Sequence, residues 1–109
     1  MLDMPALPPV ITENMEGIRR LCREYHVTKL TVFGSAVKGT FDPERSDLDF
    51  VVAFEWHEDP LERGRRFNEL WSRLLDLFGR HVDLIEVTTI KNPYLAEVID
   101  ETQQLLYAA

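Results

Sequence analysis

Apolar side chains recur along the chain with two distinct periods. They fall at Met15, Ile18, Leu21, Cys22 and Tyr25, with Glu16, Arg19, Arg20 and Arg23 between them, the three-to-four spacing of a helix with one apolar face. His26 ends that stripe. Val27–Phe33 (VTKLTVF) is rich in β-branched and aromatic residues, which suit a pleated surface, and predicts a strand. Gly34, Ser35, Gly39, Asp42, Pro43 and Ser46 crowd the next stretch and leave room for little more than a short helical turn starting at Ser35. Asp47–Glu55 (DLDFVVAFE) predicts a second strand. Asp59 and Pro60 then read as N-cap and first helical residue: a short carboxylate can accept from the free first amides, and proline has no amide to leave unpaired. The stripe Phe67, Leu70, Trp71, Leu74, Leu75 and Phe78 follows, and Gly79 stands where a left-handed stop is expected. His81–Val87 (HVDLIEV) predicts a third strand. Asn92-Pro93 repeats the cap signal, and Leu95, Val98, Ile99, Leu105 and Leu106 predict a final helix interrupted only by Thr102.

This order predicts an α/β (α+β) fold, a small mixed β-sheet of about three strands flanked by amphipathic helices. Residues 1–11, with Pro5, Pro8 and Pro9, read as an extended lead-in, and 12–109 as a single domain without repeat, linker or low-complexity tract. The 12 Lys and Arg against 19 Asp and Glu give a net charge of −7, which argues against generic binding to nucleic acid or an anionic membrane. No apolar run approaches the roughly 20 residues that span a bilayer, and Met1–Pro5 lacks the basic start and apolar stretch of a signal peptide. Cys22, the single cysteine, has no internal disulfide partner, so a reducing, cytoplasmic location is the expectation.

Asp47 and Asp49 open the second predicted strand two residues apart, so both carboxylates project to one face while Leu48 and Phe50 go to the other. Two like charges side by side are unfavourable without a cation between them, and hard cations such as Mg²⁺ take such oxygen ligands. A turn-ending Asp47 and a solvated Asp49 are the plainer alternative. Asp83 interrupts the apolar third strand between Val82 and Leu84-Ile85. It completes a carboxylate triad if that strand neighbours the second, or lies on an exposed face if it does not. Gly34-Ser35 ends the first strand, where glycine lets the backbone approach a phosphate and a short helix would aim amides and a hydroxyl at it. Lys38 and Arg45 either neutralise phosphate charge there or are solvated turn residues. His26, His57 and His81 sit at element boundaries without a ligand spacing, and Arg63, Arg65 and Arg66 read as a solvated helix face.

Taken together, FGSAVKGTFDPERSDLDFVV (Phe33–Val52) with Asp83 on the next strand resembles the nucleotidyltransferase family related to DNA polymerase β. The shortness resembles its minimal nucleotidyltransferase (MNT) branch, found in prokaryotic toxin–antitoxin operons beside a HEPN-domain protein. The family pattern is Gly-Ser, about ten residues, Asp-x-Asp, then a distal carboxylate; here 11 residues (36–46) separate Ser35 from Asp47. Lys91–Leu95 (KNPYL) and the closing LYAA also look like members of this branch, so the likeness covers about residues 15–109.

The resemblance implies the nucleotidyltransferase fold and transfer of AMP from ATP to an acceptor hydroxyl, with pyrophosphate leaving. Gly34, Ser35 and Lys38 would bind the nucleotide. Asp47, Asp49 and Asp83 would hold Mg²⁺ as the catalytic carboxylates, Asp83 also helping to deprotonate the acceptor. The implied partner is a HEPN-domain toxin adenylylated on a hydroxyl, a tyrosine by expectation, and an acidic domain suits a basic, RNA-handling partner. A non-catalytic antitoxin that neutralises its partner by occlusion is the alternative, and an enzyme acting on a small molecule such as an aminoglycoside is a third reading.

Overall fold

In the computed structural model, which describes residues 7–109, the local signals of the sequence set most of the elements. Pro8 is extended, but α1 (Pro9–Thr12) is one helical turn, with proline at its first position and Ile11 fully buried. The predicted lead-in is therefore not extended at Pro9–Ile11, and residues 1–6 lie outside the described residues. α2 (Met15–Glu24) and β1 (Val27–Phe33) follow, then α3 (Ser35–Lys38) and β2 (Leu48–Phe54). α4 (Pro60–Phe78) starts on the Asp59 carboxylate, which accepts from the Leu61 amide at 2.9 Å, and stops at Gly79 in the left-handed region. β3 (Val82–Glu86) and a 3-10 turn (Val87–Thr89) lead to α5 (Pro93–Thr102), capped by Asn92.

The chain ends in a fourth strand, β4 (Gln104–Ala108), where the periodicity predicted more helix. Leu105 and Leu106 lie six and seven residues beyond Ile99, which a helical stripe also allows, and this is why the pattern misled. Thr102 is the last helical residue and Gln103 is extended. From there the two leucines point to opposite faces, Leu105 57% exposed and Leu106 7%. The backbone of β1 would otherwise present an unpaired edge, and pairing with β4 satisfies it.

The sheet order is β3-β2-β1-β4, with β2 and β3 parallel and the other pairs antiparallel. One face packs on α2 and α4 around Leu30, Val32, Phe50, Val52, Leu70 and Leu74, all fully buried. Phe50 stacks on Phe78 with ring centroids 5.6 Å apart. The other face carries a smaller cluster of Phe33, Val51 and Ile99 under α5. Asp49 is two residues before Val51 on that second face, beside the apolar cover.

Arg63 and Arg65 are exposed, but Arg66 is buried: its guanidinium donates to Glu62 and to the Glu55 carbonyl, so it ties α4 to the end of β2. Trp71 is 39% exposed and its indole N–H donates to the Val82 carbonyl at 2.8 Å. Burial pushes the Cys22 thiol up to about 12, leaving it an inert core residue. No helix among the described residues is long and apolar enough to cross a membrane.

The opposite exposures of the two leucines in β4 have a measurable consequence. Leu106→Ala is expected to lower the unfolding free energy by about 2–4 kcal/mol, and Leu105→Ala by less than about 0.5 kcal/mol. Urea denaturation of both variants reads the difference, and equal losses would contradict the strand.

Candidate active site

Two strand ends and one tight turn build the site. β1 and β2 pair antiparallel with Phe33 opposite Asp49, so the residue after Phe33 meets the Asp49 side chain. That residue is Gly34, at φ 77° and ψ −144°, a conformation that side chains other than glycine's resist. A Cβ placed on it would stand 2.7 Å from Asp49 Oδ2. Glycine is thus required twice, by backbone conformation and by space. α3 begins at Ser35, and the first amides of a helix have no partner within it. Lys38 lies at the other end of α3, exposed, with its amide bonded to the Gly34 carbonyl at 3.1 Å.

The loop from Gly39 to Asp47 is closed by bonds of its own. The Asp42 amide donates to Ser46 Oγ at 2.8 Å, and the Ser46 amide donates back to the Asp42 carbonyl at 2.9 Å. Arg45 is exposed in this loop. Arg80, just before β3, braces the loop from behind: its guanidinium lies 5.1 Å from the Phe41 ring and donates to the Ser46 carbonyl at 3.3 Å.

β2 and β3 run parallel with Asp49 opposite Asp83, so the neighbouring-strand condition for a carboxylate triad is met. The Leu48 amide donates to the His81 carbonyl at 3.2 Å and fixes the start of that pairing. Asp47, His81 and Asp83 each bring one donor atom within 4.8 Å of the others. His81 Nε2 stands 3.0 Å from Asp83 Oδ1. Asp49 is raised to about 6, first by desolvation, then by its hydrogen bond with Asp83 and by the charges of Asp83 and Asp47. The hydrogen bond and charge of Asp83 in turn push the His81 imidazole above its usual range.

Of the residues singled out in the sequence, Asp47, Asp49, Asp83 and Gly34 meet at one place, Ser35 follows directly, and Lys38 is a turn further along α3. His81 belongs to the cluster although the sequence reading placed it at a boundary. The signal was available: His81 and Asp83 are two apart, the same spacing that put Asp47 and Asp49 on one face. His26 and His57 are boundary residues, His26 near Glu55 and His57 accepting from the Asp59 amide.

The donor set fits a divalent cation. Asp47, Asp83 and the His81 imidazole converge, with Asp49 beside Asp83, and burial together with the neighbouring carboxylates raises the Asp49 pKa. Its folded-state value, about 6, lies above the ordinary 3.8, so the stability it contributes is present below about pH 3.8 and is lost as pH rises through 6.

The metal-free protein should therefore lose about 1 kcal/mol from this half-buried, partly screened carboxyl between those limits. Asp49→Asn should flatten that part of the profile, as read by thermal denaturation across pH in chelator. A wild-type profile matching that of the variant would contradict the shift. Gly34→Ala should cost about 1–3 kcal/mol through backbone strain and displacement of Asp49, measured by urea denaturation.

Known proteins resemble this chain in sequence and fold. The nucleotidyltransferase domain family matches residues 15–106. A Methanocaldococcus jannaschii protein named as a candidate protein adenylyltransferase is 38% identical over 81 residues, 74% of this chain and 78% of that one. A solved structure of a candidate minimal nucleotidyltransferase superposes with a TM-score of 0.63 at 29% identity, covering 86% of this chain and 90% of the other. The fold also recurs, with a TM-score of 0.56 at 21% identity over 90% of this chain and 72% of that chain, in the complex of a tri-AMPylated Shewanella oneidensis HEPN toxin with MNT antitoxin. The family match runs through Gly34, Ser35 and all three carboxylates, and the chain belongs to the nucleotidyltransferase domain family of enzymes.

Proposed function

We propose that this enzyme transfers AMP from ATP to a side-chain hydroxyl, that of a tyrosine, on a HEPN-type toxin and so acts as its antitoxin in the cytoplasm. The observation that carries the reading is the meeting of Asp47, Asp49 and Asp83 across the parallel β2–β3 pair, with the Gly34 backbone against Asp49. The adenylyltransferase name of the M. jannaschii relative and the AMPylated HEPN toxin of the S. oneidensis complex support the choice of AMP and of acceptor. A net charge of −7 suits a basic, RNA-handling partner.

Each residue has a role in this scheme. Ser35, with its hydroxyl and the free first amides of α3, binds the triphosphate beside Gly34, whose missing side chain lets the phosphates approach. Lys38 offsets phosphate charge from the end of α3. Asp47, Asp49 and Asp83 would hold Mg²⁺, which when bound would supply charge neutralisation at the phosphates and lower the pKa of the acceptor hydroxyl. Asp83 takes the hydroxyl proton as the acceptor oxygen forms its bond to the α-phosphorus. The bond between that phosphorus and the oxygen bridging to the β-phosphate breaks, and pyrophosphate departs with the electron pair. The chain otherwise contributes positioning and a fixed electrostatic environment.

The test is transfer of labelled AMP from ATP onto the protein encoded beside this one, read by mass spectrometry. Asp47→Asn with Asp49→Asn should reduce transfer by about a thousandfold or more, the rate equivalent of several kcal/mol of lost charge stabilisation. Transfer that persists in the double variant overturns the proposal. Silencing of the partner by the double variant, with no AMP added, would identify an occluding antitoxin instead.

A further inference from the structure

We infer that His81 is a direct nitrogen ligand of the cation held by Asp47 and Asp83, which makes the centre a mixed nitrogen–oxygen site that favours first-row transition cations over Mg²⁺. The inference rests on the proposal that a divalent cation binds here, and concerns which one the chain selects.

Geometry carries the argument. His81 and Asp83 share one face at the start of β3, and the bond from the Leu48 amide to the His81 carbonyl sets where that imidazole begins. Two donors on a six-coordinate ion with bonds of about 2.1 Å stand about 3.0 Å apart when adjacent and about 4.2 Å apart when opposite. His81 Nε2 and Asp83 Oδ1 are 3.0 Å apart, the spacing of an adjacent pair. All three donor atoms of Asp47, His81 and Asp83 lie within 4.8 Å, so small side-chain rotations close the set. Both members of the His81–Asp83 pair have half-exposed side chains, 57% and 52%, free to make that adjustment and open to ions from solvent.

Apart from Asp83, whose shared proton a bound cation would displace, the His81 imidazole has no hydrogen-bond or ion-pair partner among the described residues. The charged groups facing it are the carboxylates of Asp83, Asp47 and Asp49. The neighbouring cation, Arg80, is engaged with the Ser46 carbonyl and the Phe41 ring. Among the described residues, His81 is the nitrogen donor of this donor cluster.

Chemistry then decides the preference. Mg²⁺ takes oxygen ligands and gives up water reluctantly, so an imidazole adds little to its binding. First-row transition cations bind mixed nitrogen–oxygen sites more tightly than Mg²⁺, Mn²⁺ least so and Zn²⁺, Fe²⁺ and Ni²⁺ more, which makes nitrogen ligation of Mn²⁺ the demanding case. Even with Asp49 as a third carboxylate, one imidazole added to the set leaves two of six coordination positions for nucleotide phosphate oxygens and water. The hydrogen bond between His81 and Asp83 is, in this view, the arrangement of two ligands waiting for one ion.

Mn²⁺ is the probe because it is paramagnetic. The full chain with Mn²⁺ alone, without nucleotide, is examined by electron spin-echo modulation, which detects nitrogen bonded to the metal. The wild type should show histidine ¹⁴N modulation, replaced by the ¹⁵N pattern in uniformly labelled protein. His81→Gln should lose it, weaken Mn²⁺ binding by about tenfold and change Mg²⁺ binding by less than about twofold. His81→Asn serves as the second variant, and the wild-type spectrum decides the matter whatever the variants' stability. Bound Mn²⁺ with oxygen ligands only would overturn the inference and leave the AMP-transfer proposal standing. Wild-type chain that binds no more Mn²⁺ than the Asp47→Asn, Asp49→Asn double variant would overturn both.

Discussion

Everything at the site depends on the parallel pairing of β2 with β3. That register sets Asp49 beside Asp83 and gathers like charges where a folding chain would ordinarily keep them apart. The repulsion is sustained because the opposite face of the same two strands is buried without compromise. Leu48, Phe50, Val52 and Val82 have no exposed surface, and a slip of one residue would turn all of them outward. Hydrophobic register thus holds an electrostatically unfavourable arrangement in place. The energy stored in it is available to whatever cation neutralises it.

The alternation of faces explains which parts of the site were legible in the sequence. Asp47 and Asp49 announce themselves by their spacing alone, and the helix of Pro60–Phe78 by its cap, stripe and stop. Asp83 was conditional, since nothing local says which strands are neighbours; that is settled by helix α4 crossing from β2 to β3 and by long-range packing. His81 was passed over because a histidine at a strand boundary is ordinary until its partner is known. The last strand was missed for a different reason. Ile99, Leu105 and Leu106 satisfy a helical period, and only the unpaired backbone of β1 makes extension the better state for Gln104–Ala108.

The loop before Asp47 is braced separately from the strands that carry the site. Its backbone is closed on itself by Asp42 and Ser46, and Arg80, just before β3, donates to the Ser46 carbonyl. Pro43 and Glu44 at the turn of this loop face solvent, while the strand that follows is held in register with β3. The strands that carry the carboxylates and the turn before them are thus held by separate sets of bonds.

Trp71 bears on the chain's behaviour in solution. β3 is an outer strand, and its outward carbonyls could template the addition of a foreign strand next to the carboxylates. The Trp71 indole N–H donates to one of those carbonyls, at Val82. A side chain that a packing argument alone would assign to the core is instead a guard against intermolecular zippering. The negative charges at the mouth of the site add to that protection, since a second copy would have to bring its own carboxylates alongside them.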